Sequence, residues 1–205
     1  MEIQHRWYAP LIGKIRFKGY DADNPAELPS DNRKVIEFIG DSITEGVLID
    51  AERSYSDNGN GSVQDRTIQD DSTATYAYLT ALKLGMKPVI MGYGAVGATR
   101  SGCGSVPRAC EAYPYNFDGS PLTHEKSDVV VINHGANDMF KDAETYIEWY
   151  EKLLKVVREY NPDSKLVSLS AFYGVYPKEL KELIEKFNKE NNDNVYFIDS
   201  SGWVP

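Results

Sequence analysis

Six consecutive residues, Asp128-Val129-Val130-Val131-Ile132-Asn133, are apolar on both faces between two polar ends. A strand of that kind needs cover on each side, so it belongs in the interior of a parallel sheet. Four further apolar runs sit around it. Val35 to Ile39 runs straight into Gly40-Asp41-Ser42, and Pro88 to Gly92 opens a glycine-rich stretch extending to about Gly119. Leu166 to Ser170 and Asn194 to Asp199 follow. Helical patterns separate them. Ser72 to Leu84 is stopped by Gly85, and Ala143 to Tyr160 carries Tyr146, Ile147, Tyr150, Leu153, Leu154 and Val157 at helical spacing. Pro177 to Glu190 places Leu180, Leu183, Ile184 and Phe187 on one face. Strands alternating with helices predict an α/β fold: a three-layer α/β/α sandwich, flavodoxin-like, around a five-stranded parallel sheet.

The chain has 205 residues, enough for one domain with a substantial core. Residues 1–34 read differently from the rest. Leu11 to Gly19 alternates apolar and charged residues, which predicts a strand with one wet face, and a linker with Pro25 and Pro29 follows. Residues 35–205 then form the α/β domain. Asp50 to Asp71 has no periodicity and reads as a surface loop.

A net charge of −9 argues against a general nucleic-acid binder. No apolar run approaches the length of a membrane span. Residues 1–20 lack the apolar core of a signal peptide, so location is left open between the cytoplasm and secretion as part of a longer protein. Cys103 and Cys110 either close a small loop or stand as two unpaired thiols, and neither has partners at metal-ligand spacing.

Three polar groups follow three apolar strands. Ser42 after Gly40-Asp41 suits an exposed nucleophile, and equally suits a helix N-cap. Gly92 to Gly102 is rich in glycine without opening a plain helix, so a nucleotide cradle is a weak reading beside a structural loop. Asn137, in Gly135-Ala136-Asn137-Asp138, can offer a side-chain N–H to an oxyanion or serve a turn. His134 immediately follows an interior strand, where a histidine is more often packed than catalytic. Together, Ser42, Gly97 and Asn137 would converge on one crevice at the carboxyl edge if their strands are neighbours.

Taken together, Gly40-Asp41-Ser42-Ile43, Gly97-Ala98-Thr99 and Gly135-Ala136-Asn137-Asp138 resemble three blocks of the SGNH hydrolases, the GDSL esterase/lipase family. A finer similarity, through Gly97 to Gly102, Val106-Pro107 and Asn133 to Asp138, is to two-domain carbohydrate-esterase-like members. In those, a small β-sandwich precedes the catalytic domain, and residues 11–19 resemble its closing strand. The resemblance implies a serine esterase acting on a carbohydrate or short acyl ester. Ser42 would be the nucleophile, with the Ser42 and Gly97 N–H groups and the Asn137 side chain as oxyanion donors. Gly94 is a rival for Gly97. No metal or organic cofactor is implied.

The family also carries a late Asp-x-x-His block. Here Asp199-Ser200-Ser201-Gly202 has glycine where histidine is needed, and the histidines are His5, His124 and His134. The expectation is a chain that stops short of the block, with weak or no activity. The alternative is a non-catalytic module that binds a carbohydrate or acyl group. Apolar surface near the last strand is expected to be uncovered and to favour a homo-oligomer.

Overall fold

The computed structural model describes residues 19, 21, 23, 26, 30–50, 69–123, 126–173 and 175–204. The expected strand at residues 11–19, most of the loop at 50–71, His5 and His124 lie outside the described residues.

Strand β1 (Val35–Gly40) leads into a one-turn helix α1 (Ser42–Glu45). Helix α2 (Tyr76–Lys83) and strand β2 (Lys87–Gly92) follow. Next come α3 (Ala109–Ala112), the hairpin β3 (Tyr115–Phe117) and β4 (Ser120–Pro121), then β5 (Val129–Asn133). Helix α4 (Ala143–Tyr160), β6 (Lys165–Leu169), α5 (Pro177–Asn191) and β7 (Tyr196–Ile198) complete the order. The five long-range strands form one parallel sheet ordered β2-β1-β5-β6-β7. This is the doubly wound order, and β5 lies at its centre, as its two apolar faces require.

The alternation along β1 divides the core. Ile36 and Phe38 face α2, where Ala77 and Ala81 pack against Val131 and Leu169. Ile39 faces the other way, into a larger cluster. There Val130 and Ile132 meet Tyr146, Tyr150, Leu153 and Leu154 of α4 and Leu180, Leu183, Ile184 and Phe187 of α5. Every helical residue expected from periodicity to face the core is buried, except Ile147, which is partly so. Glu37 is also buried on this side, and its Oε2 accepts a hydrogen bond from Ser127 Oγ at 3.0 Å.

The structure departs from sequence expectation in three places. The helix expected from Ser72 is divided: a 3₁₀ turn spans Ser72–Ala74, and Thr75 then caps α2 through its hydroxyl on the Tyr78 N–H. The glycine-rich stretch to Gly119 contains α3 and β3; α3 forms because Val106, Ala109, Ala112 and Tyr113 have apolar cover to reach on α4. Of the two readings left open for the cysteines the unpaired one is seen: Cys103 and Cys110 are both free thiols, the first exposed and the second buried. The last strand is shorter than expected. Its Tyr196 and Ile198 are 46% and 38% exposed beside Val167 and Leu169, so the α2 side of the sheet is thinly covered there. Among the described residues no helix is long and apolar enough to cross a membrane.

The carboxyl ends of β1, β2 and β5 are level. Gly40 is in register with Gly92 on one side and Asn133 on the other. Helix α1 lies directly on this edge. A Cβ added at Gly92 would stand 2.3 Å from the Glu45 backbone nitrogen, and one at Gly40 would stand 2.1 Å from Thr44 Oγ1. Gly92→Ala therefore must push α1 off the sheet, and we expect it to destabilise the protein by about 1–3 kcal/mol. Urea titration of the variant checks this. An unchanged midpoint would mean that α1 has room to move.

Candidate active site

Ser42 occupies the first helical position of α1, with Asp41 as N-cap. Asp41 Oδ1 accepts from the Ile43 N–H at 2.9 Å, a cap that fixes the helix start. The serine itself is therefore not the cap. Its own N–H, in the first turn, belongs to the set that has no partner within a helix. Thr44 secures the turn from below: Thr44 Oγ1 lies 2.9 Å from Tyr76 Oη, which also accepts from Asn133 Nδ2 at 3.1 Å. Tyr76 is held edge-on between Phe38 and Phe172.

Asn137 sits in a one-turn 3₁₀ segment, Ala136–Asp138, after β5. Its Nδ2 donates to Asp41 Oδ2 at 3.1 Å and to the Val96 carbonyl at 3.0 Å. One amide thus bridges the segments that carry Ser42 and Gly97, so Ser42, Gly97 and Asn137 are gathered at one place on the carboxyl edge. Asp138 grips the same turn from beneath. Its buried carboxylate accepts from the Ala98 N–H at 3.0 Å, the Thr99 N–H at 2.8 Å and the Thr99 hydroxyl. Gly97 must be glycine for this grip, since an added Cβ would stand 2.7 Å from both carboxylate oxygens. The aspartate that follows Asn137 thus has a place in the site that sequence reasoning left unassigned. Its adjacency to the asparagine was the one available signal.

Two of the three donors are occupied. The Gly97 N–H donates to the Arg100 carbonyl at 3.1 Å, and both Asn137 amide hydrogens are taken as described. Gly94, the alternative glycine, accepts at its carbonyl from the Cys103 N–H at 2.9 Å.

Two buried titratable groups set the electrostatics. Burial pushes the Asp41 carboxyl up to about 6, with Asp138 nearby adding to the rise and the Ile43 and Asn137 hydrogen bonds opposing it. Burial pulls the His134 imidazole down to about 4, so it is neutral at pH 7. His134 is enclosed under the turn, and its own carbonyl accepts from Tyr146 Oη at 2.9 Å. It is a packed histidine. Asp199, just past β7, accepts from Ser170 Oγ at 3.1 Å and from the Ser201 N–H at 2.9 Å. A separate cleft of about 840 Å³ lies at the amino edge, where α4 and α5 end. Its Arg158 is fully engaged with Asp193 and the carbonyls of Asn161, Pro162 and Ser164.

The sequence profile of the GDSL-like lipase/acylhydrolase family matches residues 38–203, the stretch that holds this whole constellation. The chain belongs to that family. None of the curated proteins compared with this GDSL-like chain matches it. Solved structures do. A family two carbohydrate esterase from Clostridium thermocellum, in complex with cellohexaose, is 25% identical with a TM-score of 0.69; the match covers 86% of this chain and 56% of that one. A family two carbohydrate esterase from Cellvibrio japonicus is 22% identical with a TM-score of 0.66, covering 84% and 53% of the two chains. An acetyl xylan esterase from the rumen bacterium Butyrivibrio proteoclasticus is 17% identical with a TM-score of 0.69, covering 85% and 57%. The GDSL-like chain thus spans little more than half the length of these relatives.

Proposed function

We propose that this chain carries the nucleophile and oxyanion site of a serine esterase that removes acyl groups, acetyl foremost, from carbohydrate. The observation that carries the reading is the Asn137 amide linking the Asp41–Ser42 turn to the Val96–Gly97 turn. Ser42 Oγ attacks the acyl carbonyl carbon as its proton passes to solvent, from which the leaving group later takes one up, and the carbonyl electron pair moves onto oxygen. The Ser42 and Gly97 N–H groups and the Asn137 amide stabilise that oxyanion. Collapse expels the sugar alkoxide, which takes up a proton, and water then hydrolyses the acyl-serine. The carbohydrate substrate is supported by similarity to the Clostridium thermocellum esterase. Phe140 and Tyr173, exposed in the segments after β5 and β6, supply rings for stacking a sugar.

Serine needs a base within hydrogen-bond reach. Among the described residues the histidine is His134, and it is enclosed and neutral. We therefore expect slow acetate release from acetylated xylan or 4-nitrophenyl acetate by the 205-residue chain, and its complete loss in Ser42→Ala. Fast turnover surviving in Ser42→Ala would overturn the nucleophile assignment. The lack of an exposed histidine beside Ser42 among the described residues favours a second reading, a module that binds carbohydrate without cleaving it. Calorimetric titration with cellohexaose, showing binding with no hydrolysis of any acetyl ester, would select it.

A further inference from the structure

The peptide joining Val96 to Gly97 stands between two peptides that are clamped. On the amino side, the Val96 N–H donates to the Tyr93 carbonyl at 3.1 Å. On the carboxyl side, the Gly97 carbonyl accepts from the Ala109 N–H at 3.0 Å, while the Ala98 N–H of the same peptide donates to Asp138. The Thr99 N–H is held by Asp138 as well. The Val96–Gly97 peptide itself points its carbonyl at Asn137 and its N–H at the Arg100 carbonyl.

A trans peptide directs its carbonyl and its N–H in opposite directions. While Asn137 holds the Val96 carbonyl, the Gly97 N–H must point away from Asn137. The two donors needed for one oxyanion thus face apart, and each is satisfied elsewhere. A single rotation removes both obstacles. Turning this one peptide by about half a revolution takes the Val96 carbonyl off Asn137, frees one amide hydrogen, and swings the Gly97 N–H to the Asn137 side. The rotation is taken up by ψ of residue 96 and φ of residue 97. Gly97 now has negative φ, and the turn would carry it to positive φ, which glycine adopts without strain.

We propose that the Val96–Gly97 peptide is the gate of the oxyanion hole. It is closed in the free protein, opens by flipping when an acyl group arrives at Ser42, and pivots between peptides that Asp138 and Ala109 keep fixed. Asp138 is then a positioning residue: it holds Ala98 and Thr99 still, so that a local flip replaces a movement of the whole loop. This rests on the esterase reading of Ser42.

The test uses an alkyl fluorophosphonate at alkaline pH, with prolonged incubation. Ser42 Oγ bonds to phosphorus as the P–F bond breaks, and the serine proton and fluoride pass to the buffer. The tetrahedral phosphonyl oxygen then occupies the oxyanion position. Mass spectrometry of peptides reports whether Ser42 is labelled. A crystal structure of the labelled protein is expected to show the Gly97 N–H on the phosphonyl oxygen and the Val96 carbonyl turned off Asn137. In solution, the through-hydrogen-bond NMR coupling between the Gly97 nitrogen and the Arg100 carbonyl carbon is expected to vanish on labelling, while the Ala98 and Thr99 amide signals keep their positions. Labelling with the peptide unturned, or with Ala98 and Thr99 leaving Asp138, overturns the gate and leaves the esterase reading standing. Absence of any label on Ser42 overturns the nucleophile assignment and the gate with it.

Discussion

Asp138→Ala is expected to lower the unfolding free energy by about 3–5 kcal/mol, the largest loss from a single polar side chain in the site. The change removes the acceptor for two backbone N–H groups and one hydroxyl, and the carboxylate is fully buried. Each orphaned buried donor costs roughly 1–3 kcal/mol in lost hydration, and water filling the vacated space recovers part of it. Asp138→Asn should restore about half of the loss, because its amide oxygen can still serve one donor while its NH₂ faces another. Urea unfolding of the three proteins checks this. A loss below about 1 kcal/mol in Asp138→Ala would show that the Ala98–Thr99 turn finds other partners.

Asp41→Asn should move stability the other way, by about 2 kcal/mol at pH 7. The Asp41 carboxyl titrates at about 6 in the fold against 3.8 as a free side chain. Between those values the folded protein binds the extra proton, so stability falls as pH rises through the window and the full penalty is present at pH 7. Two pKa units amount to about 3 kcal/mol, from which roughly 1 kcal/mol is lost with the Asn137 hydrogen bond. Asparagine keeps the N-cap on Ile43. The gain of Asp41→Asn over the parent should therefore shrink steadily from pH 7 to pH 4 and reverse below the free-carboxyl pKa, leaving the loss of roughly 1 kcal/mol from the Asn137 hydrogen bond. His134, held down at about 4, costs both proteins stability over the same acid range and cancels in the difference. Thermal unfolding across the pH series decides it. A gain independent of pH would place the Asp41 titration elsewhere.

Most of the scaffold could be read from the chain because each long element has one dominant period. Val129 to Ile132 demanded cover on both faces and lies at the sheet centre, and the apolar stripes of α4 and α5 predict their buried residues almost one for one. Helix α3 and the β3–β4 hairpin left no such trace. They are three or four residues long at most, too short to show a period, and the form of α3 depends on packing against α4. The site divides in the same way. The shared placement of Ser42, Gly97 and Asn137 at one edge was legible because each follows a strand. The roles of Asp41 and Asp138 as acceptors, and the engagement of the Gly97 N–H by Arg100, depend on backbone directions that residue types do not encode.

Glu37 has a consequence for assembly of the sheet. Side chains alternate along a strand, so sliding β1 by one residue would send Glu37 among the ring and methyl groups that surround Phe38 and put Phe38 beside Ser127. A carboxyl group there would lack its hydroxyl partner and any water. The Glu37–Ser127 contact therefore works chiefly against wrong alignments of β1 on β5. Because β1 carries Ser42 at its end and β5 carries Asn137 beyond its own, the same contact at the amino edge sets the level at which the two meet at the opposite edge.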